Sequence, residues 1–207
     1  MTWETVETDT PSTVGSVIVS LPGYLAEAGI LCWVGYELLL RRREDPNAGT
    51  WQADDRDRGS TRVLFAAYGA AVAANVALGL AGVGVLPDGV RWCGVALLAC
   101  GLALRAWGMR TLAASYTRTL RTVDDQHVVQ DGPYRLIRHP GYCGSLLVWI
   151  GYSLGLGSWP ATLVVTALLV AAYTWRITAE ERLLLDAFGP VYGEYRDRTK
   201  RLIPFVY

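Results

Sequence analysis

One short stretch of the chain concentrates the residue types that could bind an ion or take part in acid–base chemistry. Residues 132–142 read Gly-Pro-Tyr-Arg-Leu-Ile-Arg-His-Pro-Gly-Tyr and lie directly before a long apolar segment. The chain has two histidines: His139 belongs to this stretch and His127 lies just upstream. Charged side chains beside a membrane-grade apolar segment cost free energy and usually mark a functional site. The stretch therefore predicts polar chemistry at a membrane surface.

A second group of ionisable residues follows the apolar segment. Arg176 and Glu180 are four apart in a predicted helix, so their side chains share one face, and Glu181 lies about 100° further round. An ordinary surface ion pair at a helix exit explains this spacing as well as a carboxylate and a guanidinium held for a ligand. A hydrophobic hairpin joins the two groups and would return them to one membrane face. Together they predict a pocket lined by both charge signs.

Pro140 fixes the local structure at the centre of this pocket. Proline disfavours helix at the residue before it but suits the first turn of a helix, so His139 is predicted at a helix N-terminus. Free backbone N–H groups at that position favour an anion. Upstream, residues 115–142 are loop-like, with Val128 and Val129 as a candidate short strand.

The elements that position these residues are long uncharged segments. Residues 63–87 contain no charged side chain, and 25 helical residues are enough to cross a hydrocarbon core of about 30 Å. The sequence predicts an all-α membrane protein with about five transmembrane helices. A C-terminal short-helix hairpin is broken at Gly155–Pro160, and a re-entrant pair fits the hairpin equally well. The predicted spans are 17–40, 63–86, 90–108 and two short helices within 140–175.

Small residues at four-residue spacing predict where these helices pack closely. Ala66, Ala70 and Ala74 form one such set, and Gly151 with Gly155 forms another.

The basic residues predict the orientation. They cluster after the first, third and fifth spans, and only Arg91 lies on the opposite side. By the positive-inside rule, we expect a multi-pass protein of the cell inner membrane with its N-terminus outside and its C-terminus cytoplasmic. No basic residue precedes Arg41, so we expect an uncleaved start. The four cysteines form no Cys-x-x-Cys pair, and neither a disulfide framework nor a metal site is predicted.

From residue 124 to 204 the chain resembles the isoprenylcysteine carboxyl methyltransferase family, whose members are integral-membrane enzymes that use S-adenosylmethionine. The resemblance rests on the motif 132–142, the hydrophobic hairpin, Glu180-Glu181, and Phe188-Gly189 followed by Tyr192 and Tyr195. Further upstream, the loop 57–60 (Asp-Arg-Gly-Ser) is similar to bacterial members.

The resemblance implies the roles of individual residues. Arg176 would be the catalytic and substrate-binding residue, facing the methyl acceptor. S-adenosylmethionine would occupy a cytoplasmic pocket within a single domain, residues 1–207, in which 1–110 provide three spans and 111–207 the catalytic core. The implied cofactor-binding residues are Gln126, His127, Val128, Val129, Tyr134, His139, Pro140, Gly141, Tyr142 and Glu180.

The residue set suits methyl transfer to a lipophilic or prenylated acceptor in contact with membrane lipid. A carboxylate acceptor is ionised at neutral pH and needs no general base, whereas a phenol would need His139 or Tyr142 to activate it. Neither a metal nor a nucleic acid is an expected partner. The alternatives are a phospholipid N-methyltransferase, a phenolic-lipid O-methyltransferase, an NADPH-dependent sterol or enone reductase, and a non-catalytic membrane scaffold.

Overall fold

The computed structural model describes residues 20–44, 59–119 and 128–204, and all regular elements in these ranges are helical. A single 3₁₀ turn, Gly132–Arg135, precedes α4. Val128 and Val129 have no regular structure, so the short strand expected there is absent from the described part of the chain. The helices are α1 (Leu21–Glu44), α2 (Ser60–Leu80), α3 (Asp88–Thr119), α4 (Pro140–Leu156), α5 (Trp159–Phe188) and α6 (Pro190–Arg198).

Within the part of the chain that the structure describes, three helices are long and apolar enough to cross a membrane: α2, the Asp88–Leu112 part of α3, and α5. The all-α membrane fold predicted from the sequence is therefore confirmed. α4 has 17 residues, about 26 Å, which is shorter than a hydrocarbon core of about 30 Å. α1 contains Glu27 and Glu37 and ends in three arginines. The number of five spans, the orientation and the choice of membrane stay predictions.

Glycines bring α3 and α4 into contact backbone to backbone. A Cβ added to Gly101 would lie 2.7 Å from the carbonyl oxygen of Gly144, and one added to Gly151 would lie 2.5 Å from the backbone nitrogen of Leu98. No side chain fits at these distances, so the small residues are required by the close approach. This packing fixes α4, and with it residue 139, against α3.

The packed face of α2 differs from the prediction by one residue. Ala66 and Ala70 are exposed, whereas the buried positions follow each other at four-residue spacing as Ala67, Ala71, Asn75 and Gly79. Asn75 decides this phase, because its side chain accepts a hydrogen bond from Ser153 of α4 at 2.7 Å and donates one to the Ala71 carbonyl at 3.1 Å. A buried amide without such partners would be costly.

The hairpin between α4 and α5 turns at Gly157, whose φ of 93° lies in the left-handed region that glycine tolerates. Ser158 caps α5 by accepting from the Ala161 N–H at 3.4 Å. The turn is tied to the α2–α3 turn, since Trp159 N–H donates to the Gly84 carbonyl at 3.0 Å. Arg91 donates to the Gly155 carbonyl at 3.2 Å and so satisfies the C-terminal end of α4. The predicted break in the hydrophobic hairpin is thus confirmed.

Candidate functional site

The N-terminus of α4 is held by the C-terminal segment of the chain. Pro140 is the first residue of α4, and the residues before it lie against the C-terminal segment, with an isolated parallel bridge between Ile137 and Lys200. Arg138 N–H donates to the Lys200 carbonyl at 2.7 Å, and His139 N–H donates to the Arg201 carbonyl at 3.1 Å. His139 lies immediately before the first helical residue, as its sequence context predicts.

The buried carboxylate of Glu181 joins this segment to α5. Arg138 donates to it through Nε at 2.8 Å, and Arg201 donates through its NH2 group at 2.9 Å. Nε2 of His139 lies 3.3 Å from the same carboxylate oxygen that Arg138 contacts. We call Arg138, His139, Glu181 and Arg201 the Glu181 cluster. The Glu181 cluster fixes the first turn of α4 against the C-terminal half of α5.

The neighbouring carboxylate, Glu180, belongs to a second set of contacts. The Tyr142 hydroxyl donates to it at 2.6 Å and accepts from Nε of Arg176 at 3.2 Å. Tyr142 of α4 therefore lies between the two α5 residues that the sequence placed on one face. The other side of Arg176 is held by α2, where its NH1 group donates to Ser60 and Thr61 at 3.0 Å each.

Aromatic rings connect the site to the apolar core. The Tyr142 ring stacks on His139 with centroids 5.7 Å apart, and its other neighbour is Tyr173 at 5.4 Å. The Tyr173 hydroxyl shares a hydrogen bond of 2.8 Å with Tyr68 of α2, whose ring stacks on Trp149 at 5.1 Å. These rings form a continuous row of contacts that runs from the polar site into the apolar core between the helices.

An ion pair between α1 and α3 supports the first turn of α4. Arg105 pairs with Glu37 through its Nε and donates to the Gly141 carbonyl through NH1 at 2.8 Å. Both charged side chains are mostly buried, with exposures of 11% and 18%. From its position in the sequence Arg105 counts with the basic residues expected on the cytoplasmic side, and the structure places its side chain against the first turn of α4.

Tyrosines of the connecting segments lie close to the two carboxylates. Burial raises the pKa of Tyr134 to about 12, and the negative charge of Glu180 adds to this effect. Burial and the charge of Glu181 raise the pKa of Tyr192 to about 12 as well. Both phenols are therefore neutral at physiological pH and can donate hydrogen bonds. The Tyr195 hydroxyl donates to the Tyr134 carbonyl at 2.8 Å, which ties α6 to the 3₁₀ turn.

The structure gathers most of the predicted site residues at one end of α4 and α5. Val128 and Val129 are half-buried, and Gln126 and His127 lie outside the described residues. The predicted residues that come together are Tyr134, His139, Pro140, Gly141, Tyr142, Arg176 and Glu180.

Sequence reasoning missed several residues of the site. Glu181 was named only for its position beside Glu180 and in the family motif, and Arg105 and Arg201 counted only among the basic residues that predict the orientation. The loop 57–60 was named only for its similarity to bacterial members of the family, and no contact was predicted for Ser60, which is 1% exposed and contacts Arg176. The sequence did contain a signal for this contact, because Ser60 and Thr61 form a polar pair at the start of an apolar span.

The contacts show what the site can hold. Glu180 accepts only from Tyr142 among the described residues, so its second oxygen can accept from a ligand N–H or O–H. The arginines and the first turn of α4 offer donors to an anion. S-adenosylmethionine carries both kinds of group, so the residues present fit it. In ranges 20–44, 59–119 and 128–204, no group of three His, Cys, Asp or Glu side chains could hold a metal ion.

Comparison with known proteins gives a match to one family profile and several relatives. A family profile described as "Phospholipid methyltransferase" matches residues 90–191, about half of the chain. The "Probable protein-S-isoprenylcysteine O-methyltransferase" of Oryza sativa subsp. indica is 33% identical over 119 residues, which cover 56% of this chain and 62% of the rice protein.

Two further relatives cover less of their own length. The "Protein-S-isoprenylcysteine O-methyltransferase" of Schizosaccharomyces pombe is 32% identical over 111 residues, 53% of this chain and 47% of the yeast protein. "Cobalt-zinc-cadmium resistance protein CzcN" of Cupriavidus metallidurans is 41% identical over 81 residues, 37% of this chain and 35% of that protein. In each case the chain spans less than two thirds of the relative.

The apolar helices, with a polar site where α4 packs against α5, define an all-α membrane protein. The relatives narrow this class further, and the family predicted from the sequence is confirmed: the chain belongs to the isoprenylcysteine carboxyl methyltransferase family.

Proposed function

We propose that this protein transfers the methyl group of S-adenosylmethionine to a lipophilic acceptor at the cytoplasmic membrane face. The favoured reaction is carboxyl O-methylation of a prenylcysteine-like or other lipidic substrate. The observation that carries the proposal is the Tyr142 hydroxyl, which links Glu180 and Arg176 beside the ring of His139. An anion-binding and a cation-binding group thus lie next to each other where a helix pair leaves the apolar core.

The described residues offer groups that would bind the cofactor. When bound, S-adenosylmethionine would supply an electrophilic methyl group whose positive charge is lost in the transfer. Glu180 would accept from a polar or cationic group of the cofactor, and the neutral phenol of Tyr134 would donate to another. The first turn of α4, Pro140 to Tyr142, would approach the cofactor closely, because Arg105 and the Glu181 cluster hold its backbone.

Arg176 would hold the acceptor. Its guanidinium lies where α2 and α5 meet and donates to the neutral hydroxyls of Ser60, Thr61 and Tyr142. A carboxylate would compete well for these donors, because charge-assisted bonds are about twice as strong as neutral ones. The acceptor carboxylate is already ionised, so the main task of these residues would be to orient it toward the methyl group. Such alignment can supply much of the rate enhancement of a transfer reaction.

A phospholipid N-methyltransferase is the second candidate, because the matching family profile carries the description "Phospholipid methyltransferase". The two reactions differ in the acceptor atom and therefore in the product. A methyl ester is cleaved by mild base and releases methanol, whereas an N-methyl group survives base.

The test is an assay with the purified protein in lipid nanodiscs and S-adenosylmethionine carrying a labelled methyl group. The acceptors are N-acetyl-S-farnesylcysteine, its carboxamide, which lacks the free carboxylate, and phosphatidylethanolamine. We expect base-labile label in the first acceptor alone. Glu180→Gln should abolish the signal, whereas Glu194→Gln, a matched change at an exposed position of α6, should preserve it. Base-stable label in the phospholipid would establish the second candidate instead.

Two outcomes would contradict methyl transfer altogether. Absence of label from every acceptor and from the membrane lipid, in a protein that remains folded, would remove the proposal. Binding of NADPH in place of S-adenosylmethionine would support a reductase.

A further inference from the structure

Glu181 is a buried charge that the proposed reaction does not itself use. Its side chain is 6% exposed, and it accepts hydrogen bonds from two guanidinium groups. Desolvation of such a carboxylate is costly, and removal of one partner of a buried ion pair is strongly destabilising. The third neighbour of Glu181 is the ring of His139, 3.3 Å away, which also stacks on Tyr142.

The chemistry of this contact decides where the ring proton lies. A carboxylate bonded to two guanidinium groups is ionised and can only accept hydrogen bonds. Nε2 of His139 must therefore be the donor in its contact with the Glu181 oxygen. In a neutral imidazole the other nitrogen, Nδ1, is then an acceptor.

Nδ1 is the atom that remains available. Among the residues that the structure describes, no group forms a hydrogen bond with Nδ1, and it is not one of the atoms closed off from solvent. The ring stacks on Tyr142, whose hydroxyl contacts Glu180, so the imidazole of His139 and the carboxylate of Glu180 both contact the same tyrosine. The backbone on the other side is fixed, because His139 N–H donates to the Arg201 carbonyl.

We propose that Glu181 is a positioning residue that holds His139 as the Nε2–H tautomer, so that Nδ1 accepts a hydrogen bond from the bound cofactor. This inference rests on the proposed function and deepens it. The partner of Nδ1 is a hydroxyl or N–H donor of the S-adenosyl group, not its carboxylate. The anionic group expected near the start of α4 would instead bind to the backbone N–H groups of that helix and to the arginines.

The experiment uses the full-length protein with ¹⁵N-labelled histidine rings. The chain contains two histidines, and the signals that disappear in His139→Asn are those of residue 139. ¹⁵N shifts distinguish a protonated from an unprotonated ring nitrogen. We expect Nε2 of His139 to be protonated and Nδ1 to be unprotonated without any ligand. With S-adenosylhomocysteine, the Nδ1 shift should move in the direction of an accepted hydrogen bond.

Variants separate positioning from general structural support. Glu181→Gln keeps the shape, but its carboxamide can donate as well as accept, so the tautomers should mix and affinity for S-adenosylhomocysteine should fall about tenfold. Glu181→Asp keeps the charge and should restore part of the preference. Arg201→Gln removes a partner of Glu181 but not the His139 contact, so it should lower thermal stability and leave the tautomer unchanged.

The outcomes are distinct from failure of the proposed function. If the wild-type protein does not bind S-adenosylhomocysteine, the methyltransferase proposal fails, while the tautomer is still measured in the free protein. Protonated Nδ1 in the wild-type spectrum would overturn the inference, even if Glu181→Gln does not fold. Unchanged tautomer and affinity in a folded Glu181→Gln variant would overturn it as well.

Discussion

The Tyr142 hydroxyl donates a 2.6 Å hydrogen bond to Glu180, although the two residues are 38 positions apart in the chain. Tyr142 is in the first turn of α4 and Glu180 is near the end of α5, so the bond closes the hairpin at its polar end. The same hydroxyl accepts from Arg176. One phenol thus sets the distance between the proposed cofactor-binding and acceptor-binding groups.

Tyr142→Phe should remove this link without removing the ring that stacks on His139. We expect methyl transfer to fall about 10- to 100-fold, because Glu180 and Arg176 lose a shared partner of about 1–3 kcal/mol. Steady-state kinetics with the prenylcysteine acceptor measures the effect. Tyr152→Phe is the matched control on the same helix, since its hydroxyl contacts Glu27 at 3.3 Å, away from the site. Equal losses in the two variants would show that the Tyr142 bond has no special role.

The glycine contact between α3 and α4 should be essential for stability. Gly151→Ala would place a methyl group 2.5 Å from the Leu98 backbone, and we expect a loss of about 1–3 kcal/mol or more. Gly69→Ala in α2 meets no atom within 4 Å and should be neutral or stabilising by up to about 1 kcal/mol. Thermal unfolding in detergent compares the two variants. A stable Gly151→Ala protein would contradict the close packing.

Two tyrosines of α6 should respond oppositely to loss of the hydroxyl. Tyr195→Phe breaks the 2.8 Å bond to the Tyr134 carbonyl and should cost about 1 kcal/mol. The buried hydroxyl of Tyr192 has no hydrogen-bond partner among the residues that the structure describes, so Tyr192→Phe should be neutral or stabilising. Denaturant unfolding of both variants measures the difference. A clear loss of stability in Tyr192→Phe would indicate a partner, such as an ordered water, for that hydroxyl.

Alkaline pH should destabilise the fold through the same segment. The pKa values of Tyr134 and Tyr192 are raised from about 10 to about 12, so the folded state keeps these protons when the unfolded chain has lost them. The contribution of these two tyrosines to the free energy of unfolding is fully present below about pH 10 and is lost as the pH rises to about 12. Melting temperatures should therefore fall across this interval, and less steeply in Tyr192→Phe. An identical pH dependence in that variant would contradict the assignment.

Much of the architecture could be predicted because it depends on local rules. Charge-free segments define the apolar helices, Pro140 fixes the start of α4, Gly157 ends α4, and Ser158 caps the start of α5. The four-residue spacing of Arg176 and Glu180 places them on one face. Since a hairpin returns to the side where it begins, His139 and Glu180 were expected together, and they are.

The remaining features depend on contacts between distant residues. α2 is rich in alanine all round, so hydropathy does not define its packed face, and the Asn75–Ser153 bond sets it instead. Glu180 and Glu181 are both polar and adjacent, and only their partners on α4 and near the C-terminus give them separate roles. The Glu37–Arg105 pair joins α1 to α3 and leaves no local signal.

The central claim is that His139 and Glu180 enclose the S-adenosyl group, while Arg176 serves the acceptor. Calorimetric titration of the purified protein with S-adenosylhomocysteine tests this claim most directly. We expect a Kd of about micromolar magnitude, a loss of about 10- to 100-fold in Glu180→Ala and His139→Ala, and unchanged binding in Arg176→Ala, which should nevertheless be inactive. Wild-type affinity in both the Glu180→Ala and His139→Ala variants would contradict the site.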